Sequence, residues 1–325
     1  MEKIKIVNTA SYVPAKTVSN NELSQIMDTS DEWISARTGI KKRHISVGEN
    51  TSDLCLKVAK KLLEQSTWSA GSLDLIIVAT MSPDSYTPAT AAIVQGKIGA
   101  NRAVCFDVSA ACSGFVYGFD IVTQFLTNQK SMRAMLIGGE VLSKVIDWTD
   151  RKTAVLFGDG AGGVLLENNQ AEDSAVLASV LKTYGDQHEK LTAGQTRPVV
   201  EFPPQERTQL HPFDMDGQAV YKFATHAVPE TIDEACQKAG ITVSDVDLFV
   251  LHQANARIVK SIAKRMKQPL AKFPINIDEY GNTSAGSEPI LLDELVRNKQ
   301  VERGQIIVLS GFGGGLTVGT QVIKF

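Results

Sequence analysis

TAVLFGDGAGGVLLE (153–167) and QIIVLSGFGGGLTVGTQVIKF (305–325) share one pattern, in which an apolar strand is followed by a glycine-rich turn and a second apolar strand. SLDLIIVAT (72–80) and SDVDLFVLHQAN (244–255) form a second pair, each with an acidic lead-in and an apolar run. Both pairs occur in the same order along the chain. Such repeated patterns indicate internal duplication of one α/β unit.

The length of the chain agrees with a duplication. A single hydrophobic core stops growing near about 250–300 residues, and this chain has 325. Helical periodicity at 53–66 and 219–240, each followed by an apolar strand, predicts an α/β fold with buried strands. We therefore expect two halves, residues 1–170 and 171–325, joined near the polar stretch 168–175.

Composition excludes several classes of protein. With 43% hydrophobic and 21% charged residues, the chain has an ordinary globular composition, and its net charge of −3 gives no overall attraction to nucleic acid. No apolar run approaches the roughly 20 residues that span a bilayer. The N-terminal residues lack the apolar core of a secretion signal, so a cytoplasmic protein without membrane contact is expected.

The four cysteines are Cys55, Cys105, Cys112 and Cys236. They form no CxxC pair and have no histidine at the spacing of a zinc site, so we expect free thiols and no metal.

Cys112 follows the strand-like run VCFDV and precedes a helix that begins at about Ser113. The unpaired N–H groups at a helix start favour a thiolate, so a thiol pKa below the usual value of about 8.5 is expected. The small neighbours of Cys112 leave room for an acyl chain or a cofactor arm. This position predicts a nucleophile; the alternative is an inert buried thiol.

His252 and Asn282 are further candidates. His252 ends the strand DLFVL, and ligands of open α/β sheets lie at the carboxyl ends of strands. Asn282 lies in EYGNTSAGS, a loop that can present a side-chain amide. A turn asparagine is the alternative for Asn282.

Two glycine clusters differ in what they predict. FGDGAGG (157–163) matches GxGxxG formally, but a strand rather than a helix follows, so a dinucleotide site is not expected. GFGGG (311–315) lies between two strands, where its backbone can approach closely and direct an N–H at a developing oxyanion.

Two segments indicate contact with partners or substrates. The helix after His252 carries Arg257, Lys260 and Lys264 on one face with no acid nearby, which indicates either a dock for an acidic partner or a solvated face. Residues 185–218 lack periodicity, and long irregular stretches in compact domains are usually mobile or functional.

Six motifs together, DVSAACSGF, HQAN, YGNTSAGS, DEWISARTGI, FGDGAGG and GFGGG, resemble the β-ketoacyl-acyl-carrier-protein synthase III family from about residue 4 to the C-terminus. The resemblance implies a duplicated thiolase-like fold with five layers, α-β-α-β-α, and a homodimer. It also implies condensation of an acyl-CoA with malonyl-acyl carrier protein, with loss of CO2, at the start of fatty acid synthesis. The resemblance implies no metal or redox cofactor.

The resemblance also implies residue roles. Cys112 carries the acyl group, His252 and Asn282 donate to the malonyl thioester, and the N–H groups of Cys112 and Gly314 form the oxyanion hole. The residues implied to bind coenzyme A are Trp33, Arg37, Arg151 and Asn255. The residues implied to receive acyl carrier protein are Lys222, Arg257, Lys264 and Arg265.

Four positions depart from the family pattern. Gly286 and Glu288 lie in SAGSEP, where SAASVP or SAASIP is usual, and Val318 stands where tryptophan is common. Thr87 occupies an acyl-pocket position often filled by phenylalanine and contributed across the dimer. The resemblance therefore implies no particular primer length or branching.

Three other functions remain as alternatives. Papain-like hydrolases share the order Cys, His, Asn, but here an apolar strand leads into the cysteine and the CGSCW context is missing. Another thiolase-fold condensing enzyme, making polyketide-like or quinolone-like products, is the nearest alternative. A non-catalytic binding paralogue is the third.

Overall fold

The computed structural model describes residues 3–128, 132–168, 174–203 and 209–325. Two large sheets and nine α-helices make up these ranges. The helices are α1 (Asn20–Leu23), α2 (Asp31–Thr38), α3 (Thr51–Glu64), α4 (Thr90–Ile98), α5 (Gly114–Asn128), α6 (Gly217–Ala239), α7 (Ala256–Arg265), α8 (Ile277–Tyr280) and α9 (Ser287–Arg297).

The strands in the described ranges are β1 (Ile4–Tyr12), β2 (Thr17–Ser19), β3 (Lys42–His44), β4 (Leu75–Ala79), β5 (Val104–Val108), β6 (Arg133–Glu140), β7 (Gly160–Asn168), β8 (Ala175–Thr183), β9 (Leu191–Thr192), β10 (Asp214–Met215), β11 (Leu248–Leu251), β12 (Ile306–Gly313) and β13 (Thr317–Lys324).

The two large sheets have matching strand orders. The first runs β1-β7-β6-β4-β5 and the second β8-β13-β12-β11. In each sheet the first three strands are antiparallel and the next strand is parallel to its inner neighbour. The proposed join near 168–175 falls largely on 169–173, which lie outside the described residues.

Helices cover both faces of each sheet. Helix α3 packs on the outer face of the first sheet and α6 on the outer face of the second. Helices α5 and α9 lie between the sheets, where Phe115 and Leu292 share one apolar core with Leu136 and Leu309. This arrangement confirms the five-layered α/β fold that the resemblance implies.

Most of the predicted elements are confirmed. Helix α3 covers the periodic segment 53–66 as far as Glu64, and α6 covers 219–240 as far as Ala239, with Gly240 as its C-cap at a left-handed φ of 73°. Every residue of β4 is buried, as its continuous apolar run predicts.

One strand prediction is wrong. The run TAVLF (153–157) forms turns as far as Leu156, in which the amides of Thr153 and Ala154 both bond to the Asp150 carbonyl, and Phe157 makes an isolated bridge to Asn282. Its apolar side chains, including Val155 and Phe157, are nevertheless buried. Burial without strand pairing produces the same apolar run, so the sequence pattern did not distinguish the two. Strand β6 takes the place of the predicted strand beside β7.

No helix in the described ranges is long and apolar enough to cross a bilayer. These ranges also contain no group of three or more His, Cys, Asp or Glu side chains that could hold a metal ion.

Glycines of β7 let α9 approach the first sheet closely. A methyl group on Gly162 would lie 2.7 Å from both the Ile290 nitrogen and the Pro289 carbonyl carbon, which are backbone atoms of α9. We expect Gly162→Ala to lower the free energy of unfolding by about 1–3 kcal/mol, because backbone must shift to accommodate the methyl group. Chemical denaturation would measure this change.

Gly96 provides the matched control. It lies in α4, and a methyl group there would meet no atom within 4 Å. Gly96→Ala should therefore raise the free energy of unfolding by about 0.5–1 kcal/mol. Equal stability of the two variants would contradict the close approach of α9.

Candidate active site

Cys112 lies at a tight junction between β5 and α5. A short 3₁₀ helix, Ala111–Ser113, joins the two elements, and Ala111 has a φ of 46°, an unfavourable value for a residue with a side chain. The end of β12 packs directly against this junction, because a methyl group on Gly313 would lie 2.7 Å from the Cys112 nitrogen. The nucleophile candidate is thus held by both sheets.

A cavity of about 320 Å³ opens onto Cys112. Its lining residues are Met81, Ser109, Ala110, Ala111, Cys112, Leu191, Thr192, Ala193, Gln195, Phe213, Ser284 and Gly314. Five of them come from the irregular segment 185–218, and these five residues form one wall. The sequence marked this segment only by its missing periodicity. Ser284 lies in the motif YGNTSAGS, whereas Met81 carried no signal.

His252 follows the last residue of β11, as predicted. Its amide donates to the Ser310 carbonyl at 2.9 Å, and its ring meets Phe312 edge-on with 5.1 Å between centroids. Burial lowers the pKa of His252 to about 3, so the imidazole is neutral. Its buried Nδ1 has no hydrogen-bond partner among the described residues.

Asn282 is held by its backbone and by one side-chain oxygen. Its amide donates to the Leu156 carbonyl at 2.9 Å, and its carbonyl accepts from Gly158 at 3.0 Å. The Oδ1 atom accepts from the Ser284 amide at 2.8 Å. The Nδ2 group therefore remains available as a donor, since no described residue accepts from it.

Separate contacts link each of the three predicted residues to the region around the cavity; Cys112 lines it, whereas His252 and Asn282 do not. Cys112 touches Gly313, the His252 ring touches Phe312, and Asn282 fixes Ser284, which lines the cavity with Cys112. Gly314, the predicted oxyanion donor, lines the same cavity. The end of β12 therefore contacts Cys112 and His252, and Asn282 is linked to the cavity through Ser284.

The expected lowering of the Cys112 pKa is wrong. Burial raises the pKa of the Cys112 thiol to about 12, and negative charge on Glu288 or Glu140, when these carboxyls are ionised, acts in the same direction. The Ser284 side chain lowers this pKa, but by less than burial raises it. The loss of solvent around a thiolate outweighs the favourable field at the start of a helix.

Glu288, the departure from the family pattern, is fully buried beneath Cys112. Neither carboxyl oxygen has a hydrogen-bond partner among the described residues, and burial raises the pKa of Glu288 well above its ordinary value. A methyl group on Gly311 would lie 2.4 Å from Oε1 and 3.1 Å from the Cys112 carbonyl oxygen. Glu288 is thus a neutral acid next to the nucleophile's backbone.

Glu140 is a second buried acid near Cys112, but it is well bonded. It accepts from the hydroxyls of Thr80 and Ser82 and from the amides of Met81 and Ser82. Burial still raises the pKa of Glu140 to about 7. These bonds fix the turn that brings Met81 to the cavity wall.

The residues predicted to bind coenzyme A cluster on the surface. The guanidinium carbons of Arg37 and Arg151 lie 4.6 and 5.6 Å from the centre of the Trp33 ring system. Asn255 caps α7 and donates from Nδ2 to the Arg37 carbonyl at 3.1 Å. The four residues therefore form one aromatic and cationic group beside the start of α7, close in sequence to His252.

The predicted basic surface is exposed. Arg257, Lys264 and Arg265 lie on α7, and Lys222 lies on α6, which is linked to α7 by a 2.7 Å contact between the Tyr221 and Ser261 hydroxyls. None of the four basic residues pairs with a carboxylate within the described ranges.

Two other departures lie away from the cavity. Thr87 is exposed and does not line it. Val318 is buried opposite Phe312, in the apolar cluster beneath α6.

Family models match two parts of the chain. The model for 3-oxoacyl-[acyl-carrier-protein (ACP)] synthase III matches residues 106–185, and the model for the C-terminal part of the same family matches residues 236–325. A β-ketoacyl-[acyl-carrier-protein] synthase III of Limosilactobacillus reuteri is 54% identical over the full length of both chains. One from Lactobacillus delbrueckii subsp. bulgaricus is 55% identical, again over all of both chains.

Solved structures agree with these sequence matches. The 3-oxoacyl-[acyl-carrier-protein] synthase III of Aquifex aeolicus superposes with a TM-score of 0.91 at 38% identity, covering 99% of this chain and 100% of that one. A priming β-ketosynthase from the R1128 polyketide pathway superposes with a TM-score of 0.90 at 30% identity, covering 99% of this chain and 96% of that one.

The raised pKa of Glu288 predicts a pH-dependent stability. Above about pH 4.5 the unfolded carboxyl releases its proton while the folded one keeps it, so stability falls as pH rises, by up to about 1.4 kcal/mol per pH unit. Glu288→Gln should remove this loss. We expect the variant to gain unfolding temperature over the parent progressively as the pH rises above about 5.

The surface residue Glu64 supplies the control, because it lies exposed in α3. Glu64→Gln should leave the pH dependence of the unfolding temperature unchanged. A constant offset between Glu288→Gln and the parent at every pH would show that Glu288 is not held neutral.

Proposed function

The chain belongs to the 3-oxoacyl-[acyl-carrier-protein] synthase III family, and from this we propose that it condenses an acyl-CoA with malonyl-acyl carrier protein. The products are 3-oxoacyl-acyl carrier protein, coenzyme A and CO2, and the reaction initiates fatty acid synthesis. The observation that carries the proposal is a cavity lined by Cys112, Gly314 and Ser284, with Asn282 bonded to Ser284 and His252 packed on Phe312 of the adjoining strand β12.

The first step is acylation of Cys112. The sulfur attacks the thioester carbon of acyl-CoA, a new C–S bond forms, and coenzyme A leaves with the thiol proton on its sulfur. The N–H groups of Cys112 and Gly314 stabilise the oxyanion of the tetrahedral intermediate. The small residues Ala110 and Ala111 in the cavity lining leave room for the acyl group.

The second step is decarboxylation. The malonyl carboxylate leaves as CO2, and the remaining electron pair forms an enolate on the thioester. His252 and the Nδ2 group of Asn282 donate hydrogen bonds to that enolate oxygen. The neutral state of His252 supports this role, because a neutral imidazole carries one N–H donor.

Condensation completes the cycle. The enolate carbon attacks the acyl carbonyl on Cys112, a C–C bond forms, and Cys112 leaves as a thiolate that takes up a proton. All of these steps use protein groups alone, so we propose that no metal or redox cofactor takes part.

Two exposed groups of residues are assigned to the two substrates. We assign the adenine end of coenzyme A to Trp33, Arg37 and Arg151, with Asn255 beside the pantetheine arm. Acyl carrier protein is assigned to Arg257, Lys264, Arg265 and Lys222. Opposite charges mainly raise the rate of association, which suits a carrier that must leave after each cycle.

We also propose a cytoplasmic homodimer. Strand β5 is an edge strand of the first sheet and exposes Val104 to 60%, and such an edge is open to pairing with a second chain. In that dimer Thr87 would serve the acyl pocket of the partner subunit.

A second candidate is the priming of polyketide synthesis. The likeness to the R1128 priming ketosynthase favours it, since the two chains share fold and 30% identity. The 54% identity to a β-ketoacyl-[acyl-carrier-protein] synthase III favours fatty acid synthesis. Profiling of acyl-CoA primers with fatty-acid and polyketide carrier proteins would separate the two.

The proposed roles predict different losses in three variants. Cys112→Ser should form no stable acyl-enzyme with any acyl-CoA, because no strong base lies ready to activate a serine hydroxyl. His252→Ala and Asn282→Ala should still acylate but lose about a hundredfold in decarboxylation of malonyl thioester. Intact-mass analysis measures the first step, and release of CO2 measures the second.

Cys236→Ser is the control, since Cys236 lies on α6 away from the cavity. It should acylate as the parent does. Acylation of Cys112→Ser, or parental decarboxylation by His252→Ala, would overturn the corresponding assignment.

The basic surface predicts a change specific to the carrier protein. Arg257→Glu combined with Lys264→Glu should raise the apparent KM for malonyl-acyl carrier protein about tenfold and flatten its dependence on salt, because exposed charges are screened. Acylation by small acyl-CoA should change little. Steady-state rates at several ionic strengths would measure both effects.

Lys60→Glu with Lys299→Glu makes the same change of charge at two other exposed positions. This control should keep the parental KM. Equal loss of acylation and condensation in the α7 variant would instead assign Arg257 to the coenzyme A site or to the fold.

A further inference from the structure

Two buried hydroxyls connect the nucleophile to the loop that carries Gly314. Ser113, directly after Cys112, and Thr317, the first residue of β13, lie with their hydroxyl oxygens 2.7 Å apart. Ser113 is fully buried and Thr317 nearly so. This contact joins positions 204 residues apart in sequence, and both flank the two amides assigned to the oxyanion hole.

Each hydroxyl also contacts a backbone carbonyl. The Ser113 oxygen lies 2.8 Å from the Ala110 carbonyl oxygen, and the Thr317 oxygen lies 3.0 Å from the Gly314 carbonyl oxygen. Three contacts therefore compete for two hydroxyl protons, because each hydroxyl has only one to donate.

The other hydrogen bonds of the Ala110 and Gly314 carbonyls determine which acceptor each hydroxyl proton bonds. The Ala110 carbonyl already accepts the Ser113 amide at 3.1 Å. The Gly314 carbonyl has no other donor among the described residues. The Gly314 carbonyl needs the Thr317 proton, and two hydroxyl oxygens 2.7 Å apart need a proton between them, which only Ser113 can then donate. This gives a directed hydrogen-bond chain from Ser113 through Thr317 to Gly314.

The loop needs such a restraint. Gly313, Gly314 and Gly315 are consecutive, and glycine has the greatest backbone freedom of any residue. Fixing the Gly314 carbonyl limits rotation about the residue whose N–H is assigned to the oxyanion. Donors for an oxyanion act only when they are held in place before charge develops.

We propose that Ser113 and Thr317 are positioning residues that set the Gly314 N–H relative to the Cys112 N–H. This inference rests on the proposed function, because it assumes acylation at Cys112. The pair touches neither substrate; it acts by holding two separate chain segments in register at the site where negative charge forms.

The direction of the hydrogen-bond chain predicts that substitutions of Thr317 and Ser113 slow acylation by different amounts. Thr317→Val keeps the shape of the side chain but leaves Gly314 without a donor, so acylation of Cys112 should slow by about tenfold. Ser113→Ala leaves the Thr317 donor intact and should slow acylation only about twofold to threefold. Thr317→Ser retains the hydroxyl and should acylate at close to the parental rate.

A double variant at Ser113 and Thr317 tests whether the two hydroxyls form one directed hydrogen-bond chain. Once Thr317 is valine, the Ser113 proton has only the Ala110 carbonyl to bond, so adding Ser113→Ala should slow acylation little further. Rates would be measured by rapid-quench mass analysis under saturating acyl-CoA. Multiplicative effects of the two substitutions would overturn the directed chain.

Decarboxylation of malonyl thioester separates positioning from general damage. It depends on His252 and Asn282, so Thr317→Val should keep the parental rate of CO2 release and a cooperative unfolding transition. Parental acylation by Thr317→Val, or equal loss of acylation and decarboxylation, would overturn the proposal. Failure of the parent chain to acylate at Cys112 would instead refute the proposed function.

Discussion

The contact between the glycines of β12 and the junction at Cys112 is the constraint on which the site depends. Gly311 and Gly313 have no room for a side chain, because the backbone of Cys112 and Ser113 and the carboxyl of Glu288 fill that space. This contact joins the second sheet to the helix that follows the nucleophile. The same end of β12 touches His252 through Phe312, so one strand positions groups from both sheets.

Burial determines the charge state of the site. Cys112, His252 and Glu288 are all held in their neutral forms, because removal of solvent opposes each charged form. A neutral site does not attract water strongly, and donors such as Asn282 keep their orientation without solvent reorganisation. The charged groups assigned to the proposed substrates, Arg37, Arg151 and the basic residues of α7, are exposed at the surface. The groups proposed for the reaction are therefore buried, whereas the groups proposed to recognise the substrates are exposed.

Sequence reasoning succeeded where local pattern and tertiary position agree. The strand ends before Cys112 and His252 are visible in the chain, and parallel strands in one fold present their carboxyl ends together. It failed where burial had another cause. The run 153–157 is apolar because it packs under neighbouring loops. The pKa of Cys112 depends on how deeply the thiol is buried, and a position at the start of a helix does not show this. The sequence shows that Glu288 is unusual at its position, but it does not show that the carboxyl group has no hydrogen-bond partner among the described residues.

The sequence by itself determined the duplicated α/β class and the order of the main strands and helices. It also indicated the three candidate residues, Cys112 and His252 after strands and Asn282 in a loop. These features follow from periodicity and turn chemistry within short segments. Only the tertiary structure decided which atoms meet: the wall formed by 185–218, the neutral Glu288, and the hydroxyl contact between Ser113 and Thr317. The reason is physical, since burial and hydrogen bonding between residues hundreds of positions apart depend on how the two sheets pack.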